Sequence, residues 1–116
     1  MTEMLKRAKA AKYAMAGLNT QRKNEALYAM AEALLANEPT ILAANAADLQ
    51  AAQGVISPVM LDRLRLTADR LAGMAAGIRE VAKLPDPVGH VLDRHTRADG
   101  LVIEKRSVPM GVIAII

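Results

Sequence analysis

The residues of this 116-residue chain whose types could do chemistry are few and scattered. His90 and His95 invite a metal reading, but their odd separation puts them on opposite faces of any one strand. With no carboxylate or cysteine to complete a ligand set, they read as surface or interface histidines and no metal is expected. Asp86, Asp93 and Asp99 are close enough in sequence to suggest paired carboxylates. Each sits beside Pro, Arg or Gly, where aspartate serves turns, so turn chemistry is the reading taken. Asn45 with Asp48 has the spacing of a helix cap and its partner, and Asp62 with Arg63 reads as a local ion pair. There is no cysteine. That excludes a disulfide, a thiolate metal site and a cysteine nucleophile within these residues. The seven glycines are dispersed and none forms a G-x-G-x-x-G phosphate loop. No catalytic residue is expected in this chain.

The formal charge is +3. Its excess lies at the start, where Lys6, Arg7, Lys9, Lys12, Arg22 and Lys23 face only Glu3 up to residue 24. Such an excess permits affinity for phosphate or nucleic acid. Stacking on bases needs aromatic side chains, and Tyr13 and Tyr28 are the only two. Solvated helix faces are therefore the reading, with no nucleic-acid partner. No apolar run approaches the roughly 18–20 residues of a membrane span, and no secretory leader pattern opens the chain. A cytoplasmic protein with no membrane partner is expected.

Helices must carry most of these residues. Hydrophobic residues make up 53% of the chain, and much of that is alanine, which loses little entropy on entering a helix. Thr2 caps a first helix to about Leu18, along Ala8, Ala11, Met15 and Leu18, with Gly17 in a left-handed closing turn. Asn19-Thr20 caps a second over about 21–36, burying Leu27, Met30, Ala31, Leu34 and Leu35, and Asn37 closes it. Pro39 sits in the first turn of a third, which restarts at Asn45. Gly54-Val55-Ile56 turns the chain, and Ser57-Pro58 opens a short fourth helix with Leu61 and Leu64. Thr67 caps a fifth, whose stripe is Leu71, Met74, Ala75, Ile78, Val81 and Ala82. The methionines at 15, 30 and 74 are assigned to the core. Pro85-Asp86-Pro87 then ends the helical part. Residues 88–97 and 101–108 read as two strands joined by the Asp99-Gly100 turn.

The last residues, Val112 to Ile116, have no polar member. A continuous apolar run is the pattern of a strand buried on both faces, as in parallel sheets covered by helices. Burying its four large side chains is worth roughly 6–12 kcal/mol, comparable with the net stability of a domain. The chain is accordingly expected to be the N-terminal piece of a larger α/β protein.

Several segments resemble gamma-glutamyl phosphate reductases, also called glutamate-5-semialdehyde dehydrogenases, of the aldehyde dehydrogenase superfamily. They are Lys23-Asn24 with Leu27, Asn45-Ala46-Ala47-Asp48, Met60-Leu61-Asp62-Arg63-Leu64, Leu84-Pro85-Asp86-Pro87-Val88-Gly89, Asp99-Gly100-Leu101 and Val108-Pro109-Met110-Gly111-Val112-Ile113. They cover essentially the whole chain in family order and spacing, as the N-terminal third of the enzyme. Arg106-Ser107, before Val108-Pro109, is a minor departure from a usually basic segment.

The resemblance implies an oxidoreductase of proline biosynthesis. It reduces L-glutamyl 5-phosphate to L-glutamate 5-semialdehyde with NADPH, releasing phosphate, and its catalytic cysteine lies beyond this segment. It implies three parts here: residues 1–87 as a helical segment, 88–108 as an oligomerisation arm, and 109–116 as the start of the NADP-binding domain. Ile115 and Ile116 then lie beside the cofactor crevice, at the carboxyl end of a first Rossmann-like strand. A homo-oligomer is expected, and the segment alone should be inactive. Three other readings stand beside this one. They are another aldehyde dehydrogenase relative, a basic helical interaction module, and a degenerate protein that keeps the arm without the chemistry.

Overall fold

The computed structural model describes residues 2–113 and residue 115. Five helices come first: α1 (Thr2–Ala16), α2 (Thr20–Ala36), α3 (Glu38–Ala52), α4 (Pro58–Leu64) and α5 (Ala68–Lys83). Two strands follow, β1 (Val91–Thr96) and β2 (Val102–Arg106), paired antiparallel. The chain divides into two compact units. One is Gln21–Leu84; the other joins the first twenty residues with those from Pro85 onward.

The unit Gln21–Leu84 holds the buried residues. Ala31, Leu71, Ala75 and Ala82 are its buried apolar side chains. Three of the four are alanines, so its helices approach closely over little volume, and Leu71 is the one large side chain fully enclosed. α3 packs on both α4 and α5, and Arg79 donates to Glu32 at 2.6 Å, joining α5 to α2. The caps on α4 and α5 are as the sequence implies. Ser57 Oγ accepts from Met60 N–H at 3.4 Å and Thr67 Oγ1 from Arg70 N–H at 3.2 Å. Asp69 in the first turn of α5 and Lys83 in its last complement the helix dipole.

Several sequence-based expectations change. α3 does not restart at Asn45 but runs unbroken. An interior asparagine costs a helix at most about 0.7 kcal/mol. Asn45 makes two tertiary hydrogen bonds, each worth about 1 kcal/mol, which offset that cost. Thr2 lies inside α1 rather than capping it, and Gly17 has no positive φ, because Leu18 N–H closes the helix by bonding back to Met15 C=O. Met15, Met30, Met74 and Val81 are exposed, not core. With alanines filling the inter-helix space, the buried stripe is narrower than the apolar pattern, and long side chains at its margins stay outside.

In the other unit, β1 and β2 form a hairpin with Arg94 opposite Glu104, His95 opposite Ile103 and Thr96 opposite Val102. A bulge between Val91 and Asp93 shifts the register at the open end. Gly100, at φ 84°, makes the reversal. Its N–H bonds Arg97 C=O at 2.9 Å, while Asp99 Oδ1 accepts from Leu101 N–H at 3.2 Å. The left-handed residue is the one type that enters that region without a Cβ clash.

The terminal run forms no strand among the described residues. Val112 and Ile113 are unpaired and exposed, and Ile115 is 93% exposed; Ala114 and Ile116 lie outside the described residues. A strand buried on both faces needs hydrogen-bonded neighbours and covering layers. Among the described residues the only strands are β1 and β2, bonded to each other.

Candidate functional site

The chemistry-bearing side chains are placed one at a time. His90 precedes β1, and its Nε2 lies 2.6 Å from Asp86 C=O, so that nitrogen carries the proton. His95 stands on β1, exposed. No group of three or more His, Cys, Asp or Glu able to hold a metal occurs among the described residues. Asp86 and Asp99 do serve turns: Asp86 Oδ1 accepts from Val88 N–H at 3.0 Å, and its Oδ2 from the Thr20 hydroxyl at 3.0 Å. Asp93 does not. It lies within β1 opposite Lys105, inside the stretch that also reads as a strand.

Two sequence pairings are re-sorted. Asp62 bonds Arg70, not Arg63, with Arg70 Nη2 at 3.2 Å from Asp62 Oδ2. The same guanidinium donates through Nη1 to the carbonyls of Asp62, at 2.5 Å, and Arg65, at 2.6 Å. These are carbonyls at the end of α4 that have no partner inside the helix. Asn45 is no cap for Asp48. It is 7% exposed, donates through Nδ2 to Leu64 C=O at 2.9 Å, and accepts at Oδ1 from Leu66 N–H at 2.8 Å. One amide thus satisfies both backbone groups of the α4–α5 junction, and Arg70 ties it from the other side. Short-range spacing carries no signal for Asn45, whose partners are 19 and 21 residues away. The partners of Arg70, the carboxylate of Asp62 and two backbone carbonyls, likewise lie five and eight residues away and outside any short-range pattern.

The hairpin is the most exposed element. Every residue of β1 and four of the five in β2 are exposed. Glu104 is the exception, its side chain 17% exposed between two arginines. Arg106 Nε and Arg94 Nε each lie 2.6 Å from one of its carboxylate oxygens. Hydrogen bonds from Arg106 and then Arg94 hold the Glu104 carboxyl below its ordinary pKa. At the base, Ser107 Oγ donates to Pro87 C=O at 2.5 Å and accepts from His90 N–H at 3.0 Å, anchoring the hairpin to the Pro85-Asp86-Pro87 turn.

Two shallow depressions lie along α1. One, of about 230 Å³, is lined by Lys12, Tyr13, Ala16, Pro109, Met110 and Gly111. The other, of about 340 Å³, shares Lys12, Met110 and Gly111 with it and is otherwise lined by Leu5, Lys9 and Val112. Ligand pockets run from about 300 to 1,000 Å³ and enclose most of the ligand. No glycine-rich turn borders these depressions, and Ile115, 93% exposed, lines neither of them.

No family model matches the chain. Curated relatives do. Gamma-glutamyl phosphate reductases of Streptococcus pneumoniae strains R6 and 70585 are each 53% identical to it over 114 residues, 98% of this chain and 27% of theirs. Solved structures agree. Gamma-glutamyl phosphate reductase of Thermotoga maritima superposes with a TM-score of 0.88 at 34% identity, over 93% of this chain and 26% of that one. The Saccharomyces cerevisiae enzyme gives 0.82 at 31% identity, over 92% and 28%. The chain thus spans about a quarter of the proteins it matches, less than the third read from the sequence. By sequence and by fold alike, the five helices and the hairpin are similar to the corresponding quarter of gamma-glutamyl phosphate reductases.

Proposed function

We propose that this chain is the N-terminal scaffold and arm of a gamma-glutamyl phosphate reductase. The parent enzyme reduces L-glutamyl 5-phosphate to L-glutamate 5-semialdehyde, with release of phosphate, in proline biosynthesis. The observation that carries this reading is 53% identity over 98% of the chain together with a superposition at TM-score 0.88 on the same enzyme.

The chemistry is assigned outside these residues. No cysteine is present to attack an acyl phosphate, and no G-x-G-x-x-G loop is present to cradle a dinucleotide. NADP(H) is the cofactor read for the parent, bound by parts of it beyond this chain. This segment contributes shape: a stapled helical unit over 21–84, and a hairpin read as an oligomerisation arm of a cytoplasmic homo-oligomer. The arm reading is supported by exposure. A lone two-stranded hairpin is marginal in water, and Val91, Leu92, Leu101, Val102 and Ile103 all present apolar surface to solvent. Exposed apolar side chains in such number on one small element support an interaction role.

The test is an assay of the full-length parent for phosphate-dependent NADP reduction with glutamate semialdehyde. Turnover is expected from the parent and none from the 116-residue chain. A folded parent that turns over other aldehydes without phosphate would reassign it to another branch of the aldehyde dehydrogenases.

A further inference from the structure

We draw no further inference here: the strongest candidate, the outward face of α5 where Gly73 and Gly77 lie one turn apart among exposed Met74, Val81 and Leu84, is an unpartnered helix face, and nothing in the structure shows what covers it.

Discussion

The helical unit over 21–84 and the hairpin of β1 and β2 are held together by different forces. The helical unit encloses Leu71 and three alanines, and its one buried polar side chain, Asn45, has both its amide groups bonded. The hairpin encloses almost nothing. Its order comes from ladder hydrogen bonds, the Gly100 turn, the Ser107 anchor and the Arg94–Glu104–Arg106 cluster. Burial and satisfied buried polar groups are worth several kcal/mol, while exposed ion pairs are worth a fraction of one. The helical unit is therefore built to keep its own shape. The hairpin leaves Val91, Leu92, Val102 and Ile103 exposed.

That contrast makes ordered predictions. Leu71→Ala should have the largest effect, about 2–5 kcal/mol, because it opens a cavity among residues already small. Thermal unfolding followed by circular dichroism at 222 nm would show it as a lowered midpoint. An unchanged midpoint would mean that α5 does not carry the core. Asn45→Ala should cost about 2 kcal/mol, by leaving Leu64 C=O and Leu66 N–H without their partner at a part-buried site. Asn45→Asp sharpens the test. It keeps an acceptor for Leu66 N–H but turns a carboxylate oxygen toward Leu64 C=O, so it should not restore stability. Equal stability of the wild type and the Asp variant would refute the junction staple.

The smallest effect belongs to Glu104→Gln in the hairpin. It should leave the global midpoint unmoved and speed amide exchange at the β1–β2 ladder. The pH dependence has a definite sign. Glu104 is held below its ordinary pKa of 4.5 by hydrogen bonds from Arg106 and Arg94. Its contribution is complete above that ordinary value and fades as pH falls through the lower folded value. Ladder protection measured by nuclear magnetic resonance should therefore decline at acid pH before the α5 amides respond. Simultaneous loss in both regions would erase the distinction between them.

Local signals were legible in the sequence where the partner is nearby. Ser57 and Thr67 bond amides three residues on, the Pro85-Asp86-Pro87 stop follows from proline's missing N–H, and Asp99-Gly100 names its own turn. What failed were features decided at long range. Asn45 looked like a cap because Asp48 stood at the right offset, whereas its partners come from the α4–α5 junction. Met30 and Met74 matched the helical period, but the buried positions of α2 and α5 are taken mostly by alanine, and Met15 lies on α1, which buries nothing. Val112, Ile113 and Ile115 are a different case: their burial is read for a larger sheet, and the described residues hold no strand for them to join. The site reading was legible chiefly through resemblance. The chain lacks a cysteine and a G-x-G-x-x-G loop, so no residue of its own signals redox chemistry.

The most direct test of that role is a chimera in which this chain replaces the matching quarter of the Streptococcus pneumoniae reductase, 53% identical to it. The measurement is phosphate-dependent NADP reduction with glutamate semialdehyde, alongside the chimera's mass by sedimentation. The account predicts turnover within about tenfold of the unmodified enzyme and the same oligomeric mass, since a tenfold loss corresponds to only about 1.4 kcal/mol of misfit. A soluble, folded chimera with no turnover or with a different mass would contradict it.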